Sequence, residues 1–180
     1  MKYWAVLAAL GLLAVGCAKN EDATTAPNST TVEQKGGQTT VTLKGNGSST
    51  SATVDQSGGA KIEHTDATGT TKLDTKAAIP DRELGIALYP GAKKQTGADK
   101  STKLESPAGA SLSVNLTTTD SAAAVVEFYK KQIKGAKVDS FGANQLIEGK
   151  NAAGNDVTIS VDPTTKKGVT QIGIVVTKKK

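Results

Sequence analysis

Residue types that could carry out covalent or metal chemistry are scarce in this sequence of 180 residues. Cys17 is its only cysteine and His64 its only histidine. Nucleophilic catalysis needs a nucleophile, a base and a group that orients the base, and zinc sites usually draw on several His or Cys ligands. We therefore expect no catalytic residue, no metal and no cofactor, and we do not expect an enzyme.

Basic side chains are the remaining groups with binding potential. From residue 81 to 180, fifteen Lys and Arg stand against ten Asp and Glu. The simplest interpretation of the lysines is a solvated surface. The more specific one is contact with lipid headgroups or a cell-wall polymer, because each Lys near an anionic surface contributes about 1 kcal/mol. The candidates, in a predicted loop and on a predicted helix, are Lys93, Lys94, Lys130, Lys131 and Lys134. Nucleic-acid readers favour Arg and stacking aromatic residues, and this chain has one Arg and 3% aromatic residues, so we do not expect nucleic acid.

The N-terminal residues have the features of an export signal. Lys2 provides a positive start, and residues 5–15 form an apolar run of eleven residues, well short of the roughly 20 that a membrane span needs. Small residues end the run. Residues 1–16 are therefore predicted to be a signal peptide, and the mature chain is predicted to begin at Cys17.

Leu13-Ala14-Val15-Gly16-Cys17 resembles the lipobox of bacterial lipoproteins. The resemblance implies that Cys17 is the lipid-attachment residue, acylated on its sulfur and on its new amino group, with palmitate among the chains. The family prefers Leu at the position of Ala14. Ordinary cleavage after Gly16 is the alternative, because Ala14 and Gly16 also satisfy the small-x-small rule. A lone exported cysteine has no disulfide partner, which favours the lipid.

The resemblance also predicts an address. In lipoproteins of enteric-type bacteria, Asp directly after the cysteine retains the protein at the inner membrane, and here Ala18 follows Cys17. We therefore expect a cell-envelope protein anchored by lipid, in the outer membrane and facing the periplasm if the organism is Gram-negative. Its partners would be the membrane and, in addition, an envelope protein or cell-wall polymer.

The first part of the mature chain is polar and rich in Thr, Ser and Gly. Residues 17–35 have too little apolar surface to offset the entropy of ordering and are predicted to be a flexible tether. Residues 36–79 alternate apolar and polar residues between turn signals such as Asn46-Gly47. This pattern predicts a four-stranded antiparallel β-meander with one thinly apolar face, leaning on the domain that follows.

Residues 80–180 are predicted to form an α+β domain, with one helix packed on an antiparallel sheet. Asp120 or Ser121 would cap a helix over about 121–134 that ends at Gly135. Alternating residues predict strands on both sides of the helix. They cover 111–117, 137–141, 144–149, 157–162 and 169–176.

A second resemblance rests on two short motifs. Tyr89-Pro90-Gly91-Ala92 and Phe128-Tyr129-Lys130 are similar to motifs in small α+β domains of uncharacterised bacterial lipoproteins, over residues 84–177. The resemblance implies a fold and no activity. Our first expectation is a non-enzymatic structural or interaction module. A small-ligand binding module, with its ligand between helix and sheet near Tyr89 and Tyr129, is the alternative, and an envelope hydrolase is the third.

Overall fold

The fold is seen in a computed structural model that describes residues 29–95, 101–163 and 168–180. The predicted signal peptide, Cys17 and the first part of the predicted tether lie outside the described residues. The described part contains twelve strands and two short helices, and the strands form one open sheet in which every strand pair is antiparallel. Because strands dominate so strongly, the predicted α+β class fits only loosely: the antiparallel sheet is present, with helices as minor elements.

The elements follow one another along the chain with mostly short turns. The first five strands are β1 (Ser29–Lys35), β2 (Gln38–Gly45), β3 (Ser48–Val54), β4 (Ala60–Asp66) and β5 (Gly69–Asp74). Next come helix α1 (Asp81–Leu84), β6 (Lys93–Lys94), β7 (Ser101–Ser106), β8 (Gly109–Thr118) and helix α2 (Ala122–Lys130). The last strands are β9 (Lys134–Phe141), β10 (Asn144–Lys150), β11 (Asp156–Pro163) and β12 (Thr170–Lys179). Across the sheet the order is β1-β2-β3-β4-β5-β7-β8-β12-β11-β10-β9, with β6 beside the end of β8.

Strands β2–β5 confirm the predicted meander, and β1 adds a fifth strand to it. The tether prediction is wrong for residues 29–35, which pair with β2 in an unbroken register. Gly36 and Gly37 both have positive φ angles, 57° and 80°, which let a two-residue turn fold the chain back. That turn places Val32 opposite Val41.

The meander does not merely lean on the second half of the chain, since the two share one sheet. Strand β5 pairs with β7 through Lys72–Glu105, Leu73–Leu104 and Asp74–Lys103. Strand β7 then pairs with β8. Lys93 and Lys94, expected in a loop, therefore lie in strand β6, and β7 is a further strand of the same sheet.

Helix α2 is shorter than the predicted 121–134. The hydroxyl Oγ of Ser121 accepts a hydrogen bond from the N–H of Ala124 at 3.3 Å, so Ser121 is the cap. The helix ends at Lys130, and the carbonyl of Tyr129 accepts bonds from the N–H groups of Gln132 and Ile133. Ile133 is thereby turned into the core, and β9 begins at the next residue.

The core lies on one face of the second half of the sheet, under α2. Alternation in the predicted strands is confirmed: β8, β11 and β12 bury every second residue. The largest fully buried side chains are Leu84, Leu112, Leu116, Tyr129, Ile147, Ile159, Ile172 and Ile174. Burying each of them contributes about 1.5–3 kcal/mol, so this half supplies most of the hydrophobic stabilisation.

Candidate functional site

The predicted ligand-binding pair, Tyr89 and Tyr129, is built into the core. The Tyr129 side chain is fully buried, and its hydroxyl accepts a hydrogen bond from the N–H of Tyr89 at 3.0 Å. Burial raises the pKa of Tyr129 to about 12. The Phe128 ring contacts both tyrosine rings edge-on, at 5.1 Å between centroids in each case. The space between α2 and the sheet is therefore filled here by aromatic rings.

The Tyr89 hydroxyl also has a partner within the chain. It donates to Oδ2 of Asp120 at 2.7 Å, and this bond, together with burial, raises the pKa of Tyr89. The hydroxyl of Thr170 donates to the Asp120 carbonyl at 2.7 Å, which joins this corner to β12. Both tyrosine hydroxyls thus have partners within the chain, the backbone of Tyr89 and the side chain of Asp120, and ligand binding at this pair stays a prediction.

Two open depressions in the described part of the chain lie away from these tyrosines. One is lined by charged side chains of the meander and its junction with β7, among them Lys61, Glu63, Lys72, Asp74, Lys103 and Glu105. The other lies beside α1 and includes Asp81, Arg82 and Gln132. Neither is a closed apolar cavity of the kind that holds most small ligands.

The five lysines predicted to contact an anionic surface do not form one patch. Lys94 bonds to Asp81 at 2.5 Å, and Lys130 bonds to Glu127 at 2.7 Å. Lys93, Lys131 and Lys134 are exposed, and no carboxylate of the described residues lies within ion-pairing distance of them. Strand β6 is five strand spacings from β9, so Lys93 and Lys134 are about 24 Å apart along the sheet. The anionic-surface role of the five lysines stays a prediction, with three of them available for it.

His64 is bonded on both ring nitrogens, although no sequence pattern indicated a partner for it. Its Nδ1 lies 2.8 Å from the hydroxyl of Thr50, and its Nε2 lies 3.4 Å from Oδ2 of Asp66. A hydroxyl, an imidazole and a carboxylate in this order can activate a nucleophile. Acyl transfer also needs donors for the developing oxyanion. Strand β3 is flanked by β2 and β4, so the backbone groups around Thr50 are committed to the sheet.

The two faces of the meander differ sharply in charge. On one face, which we call the charged face, two ion pairs link β4 to β5, Lys61–Asp74 at 3.5 Å and Lys72–Glu63 at 3.3 Å, and a third, Lys103–Glu105 at 3.1 Å, lies along β7. Lys103 also approaches Glu83 at 3.6 Å, and these neighbours raise its pKa, with Glu105 the largest cause. This face continues into the core face of β8.

The opposite face carries a continuous line of apolar side chains, which we call the apolar row. The strand register places its six members directly beside one another on six neighbouring strands: Val32, Val41, Ala52, Ile62, Leu73 and Leu104. Over five strand spacings the row is about 24 Å long. Three members remain exposed, Val32 at 61%, Leu104 at 39% and Ile62 at 37%.

The apolar row points away from the core of the second half. Leu104 lies opposite Ser111 of β8, whereas the buried residues of β8 are Leu112, Val114 and Leu116. The expected contact of the apolar face with the following domain is therefore wrong. Because a strand alternates its faces, the register that joins β5, β7 and β8 sends the apolar row to the solvent side.

Neither helix, of four and nine residues, is long and apolar enough to span a membrane. No group of three or more His, Cys, Asp or Glu side chains is arranged to hold a metal ion among the residues described. Comparison of the chain with protein-family models, curated proteins and solved structures returned no match.

Proposed function

We propose that this chain is a non-enzymatic interaction module, held at the cell envelope by lipid on Cys17. The observation that supports the interaction role best is the apolar row. It lies on a part of the sheet that no second layer covers in the described residues. The second half of the sheet, under α2, is instead filled by its own core side chains. Exposed contiguous apolar surface on a folded protein commonly marks a contact site.

The charge distribution supports the same role. On the charged face Lys61, Lys72 and Lys103 are each paired with a nearby carboxylate, which makes that face well suited to water. The apolar row has no such side chains within it. We therefore place the contact with an envelope partner on the apolar row. The proposal also keeps residues 80–180 as an α+β domain in which one helix, α2, packs on the sheet.

The anchoring half of the proposal is tested by changing Cys17 to Ser and fractionating the cells. Several acyl chains hold a protein far more firmly than one, so we expect the parent in the membrane fraction and Cys17→Ser in the soluble envelope fraction. A variant that stays in the membrane fraction to the same extent as the parent would show that Cys17 is not the anchor.

The interaction half is tested by two Lys substitutions at neighbouring positions of β4. Ile62→Lys puts a charge into the apolar row, and Glu63→Lys puts the same side chain on the charged face. After chemical crosslinking in the native envelope, we expect the crosslinked products to be lost in Ile62→Lys and kept in Glu63→Lys. Unchanged products from Ile62→Lys would remove the apolar row from the interaction.

A further inference from the structure

We propose that the open edge of β1 pairs in antiparallel fashion with β1 of a second copy of this chain, joining two sheets across a two-fold axis. The inference deepens the proposed function, on which it rests, because it names the partner at one edge of the meander. It depends on the backbone of residues 29–35 and on the side chains they present.

Strand β1 is an edge strand with neither a proline nor a bulge to protect it, and its charged residues are Glu33 and Lys35. In the described part of the chain it pairs only with β2, and all seven of its residues are exposed. It contains no Pro, no Gly and no register break. Natural edge strands are normally blunted by prolines, bulges or inward-pointing charges, because a bare edge is a template for another strand.

The other edge of the same sheet shows what such protection looks like. Strand β9 has a register shift opposite Glu148 and Lys150, and Gly135 within it has a φ of 65°. One edge of the sheet is therefore blocked against a further strand, and the β1 edge is left able to accept one.

The backbone of β1 presents regularly spaced bonding groups to this open edge. Lys35 and Gln38 flank a two-residue turn and form the closing pair of the hairpin. Because hydrogen-bonded and non-bonded pairs alternate along an antiparallel ladder, Thr31 and Glu33 share the orientation of Lys35, toward β2. Thr30, Val32 and Gln34 consequently direct their N–H and C=O groups outward.

The same three residues match their own reversed copy. In an antiparallel pairing centred on Val32, each Val32 faces Val32 of the second copy, and each Thr30 faces Gln34 of the second copy. Every outward N–H then meets an outward C=O, and this register uses all seven residues of the strand. Glu33 lies opposite Thr31, and Lys35 lies opposite Ser29, so no like charges face each other.

The side chains continue the apolar row across the two-fold axis. Val32 is the outermost member of the row and the most exposed, at 61%. Pairing of the two β1 edges would place the two Val32 side chains side by side on one face, so that two rows of six residues become one. The end of each row would thereby be covered by the other.

The first test uses the full chain in its native envelope, with Val32→Cys and a short membrane-permeant bis-maleimide. We expect a crosslinked dimer. Phe141→Cys is the matched control, because Phe141 lies on the opposite edge strand and is 67% exposed; we expect it to give no dimer above the parent, which carries Cys17 alone. A dimer no more abundant from Val32→Cys than from Phe141→Cys would overturn the proposal.

The second test uses charge at the same position in differently tagged full chains extracted in mild detergent. Two differently tagged copies of Val32→Lys should no longer co-purify, and neither should two copies of Val32→Glu, because like charges then meet on the two-fold axis. Mixing the Lys form with the Glu form should restore it, which a misfolded variant could not do. Retained self-association of both variants, or no recovery in the mixture, would contradict the Val32-centred register.

The two proposals fail in different ways. If Val32→Cys gives no dimer while Ile62→Lys still loses envelope crosslinks, self-pairing is wrong and the interaction module stands. If Val32→Cys crosslinks to a different protein, self-pairing is equally wrong. If neither position responds, both proposals are wrong.

Discussion

Replacing Tyr129 with Phe tests whether its hydroxyl is a structural group or a ligand contact. In the folded chain this hydroxyl accepts the N–H of Tyr89 at 3.0 Å, and the Tyr129 side chain is fully buried. Tyr129→Phe removes only the acceptor and leaves the buried N–H without a partner. An orphaned buried donor costs about 1–3 kcal/mol, so we expect the free energy of unfolding to fall by about that amount.

Urea unfolding followed by circular dichroism measures the change, with an expected lower midpoint and an unchanged slope. Tyr89→Phe is the matched control, since its hydroxyl bonds to the exposed Asp120 at the surface and its loss should cost less. The reasoning is refuted if Tyr129→Phe unfolds at the parental urea concentration. A hydroxyl reserved for a ligand would give that result.

Tyr129 also predicts how the stability of the fold depends on pH in the alkaline range. Burial raises the pKa of Tyr129 to about 12 from an ordinary value of 10. The unfolded chain therefore loses this proton first, and the stability linked to the neutral hydroxyl is complete below pH 10 and lost as the pH rises toward 12. Tyr129→Phe should remove this part of the alkaline loss.

Two further predictions concern the sheet and its turns. Gly109→Ala should destabilise the chain by more than about 1 kcal/mol, because φ is +147° there and a Cβ would lie 2.0 Å from the carbonyl oxygen of Lys178; a urea midpoint equal to the parent's would contradict this. Bonds from Gly59 and Ser57 lower the pKa of Asp55 to about 2, so its contribution is present above its ordinary pKa of 3.8 and lost as the pH falls through about 2. Asp55→Asn should therefore flatten the acid limb of stability against pH, and a limb as steep as the parent's would count against this assignment.

Most of the strands could be predicted from local patterns in the sequence. Asn46-Gly47 predicted its hairpin because both residues can adopt positive φ, 44° and 76° in the structure. The alternation of Leu112, Val114 and Leu116 predicted which face of β8 is buried. These features depend on residues a few positions apart, and so the sequence displays them directly.

The errors concern interactions between distant parts of the chain. The polar composition of β1 predicts a tether, yet the order of this strand comes from its pairing with β2. The pairing of Leu73 with Leu104 joins residues that are far apart in sequence, and no local pattern predicts it. That same pairing decides which way the apolar row points, so the candidate surface could not be predicted from the alternation alone.

The partners of polar side chains could not be predicted from the sequence either. Thr50 and His64 meet because two strands share a register, and the hydroxyl of Tyr129 reaches the backbone of Tyr89 from another element. Of the predicted site residues, the structure gives Tyr89, Tyr129, Lys94 and Lys130 partners within the chain. Cys17 lies outside the described residues, and its role stays a prediction.

The most direct test of the interaction role compares a photoreactive side chain at two adjacent positions of β4 in the intact envelope. At position 62 the probe lies in the apolar row. At position 63, the next residue of the strand, it lies on the charged face. We expect a covalent adduct with a partner, or with a second copy, from position 62 and none from position 63. Equal labelling at the two positions, or labelling at 63 alone, would contradict the assignment of the contact to the apolar row.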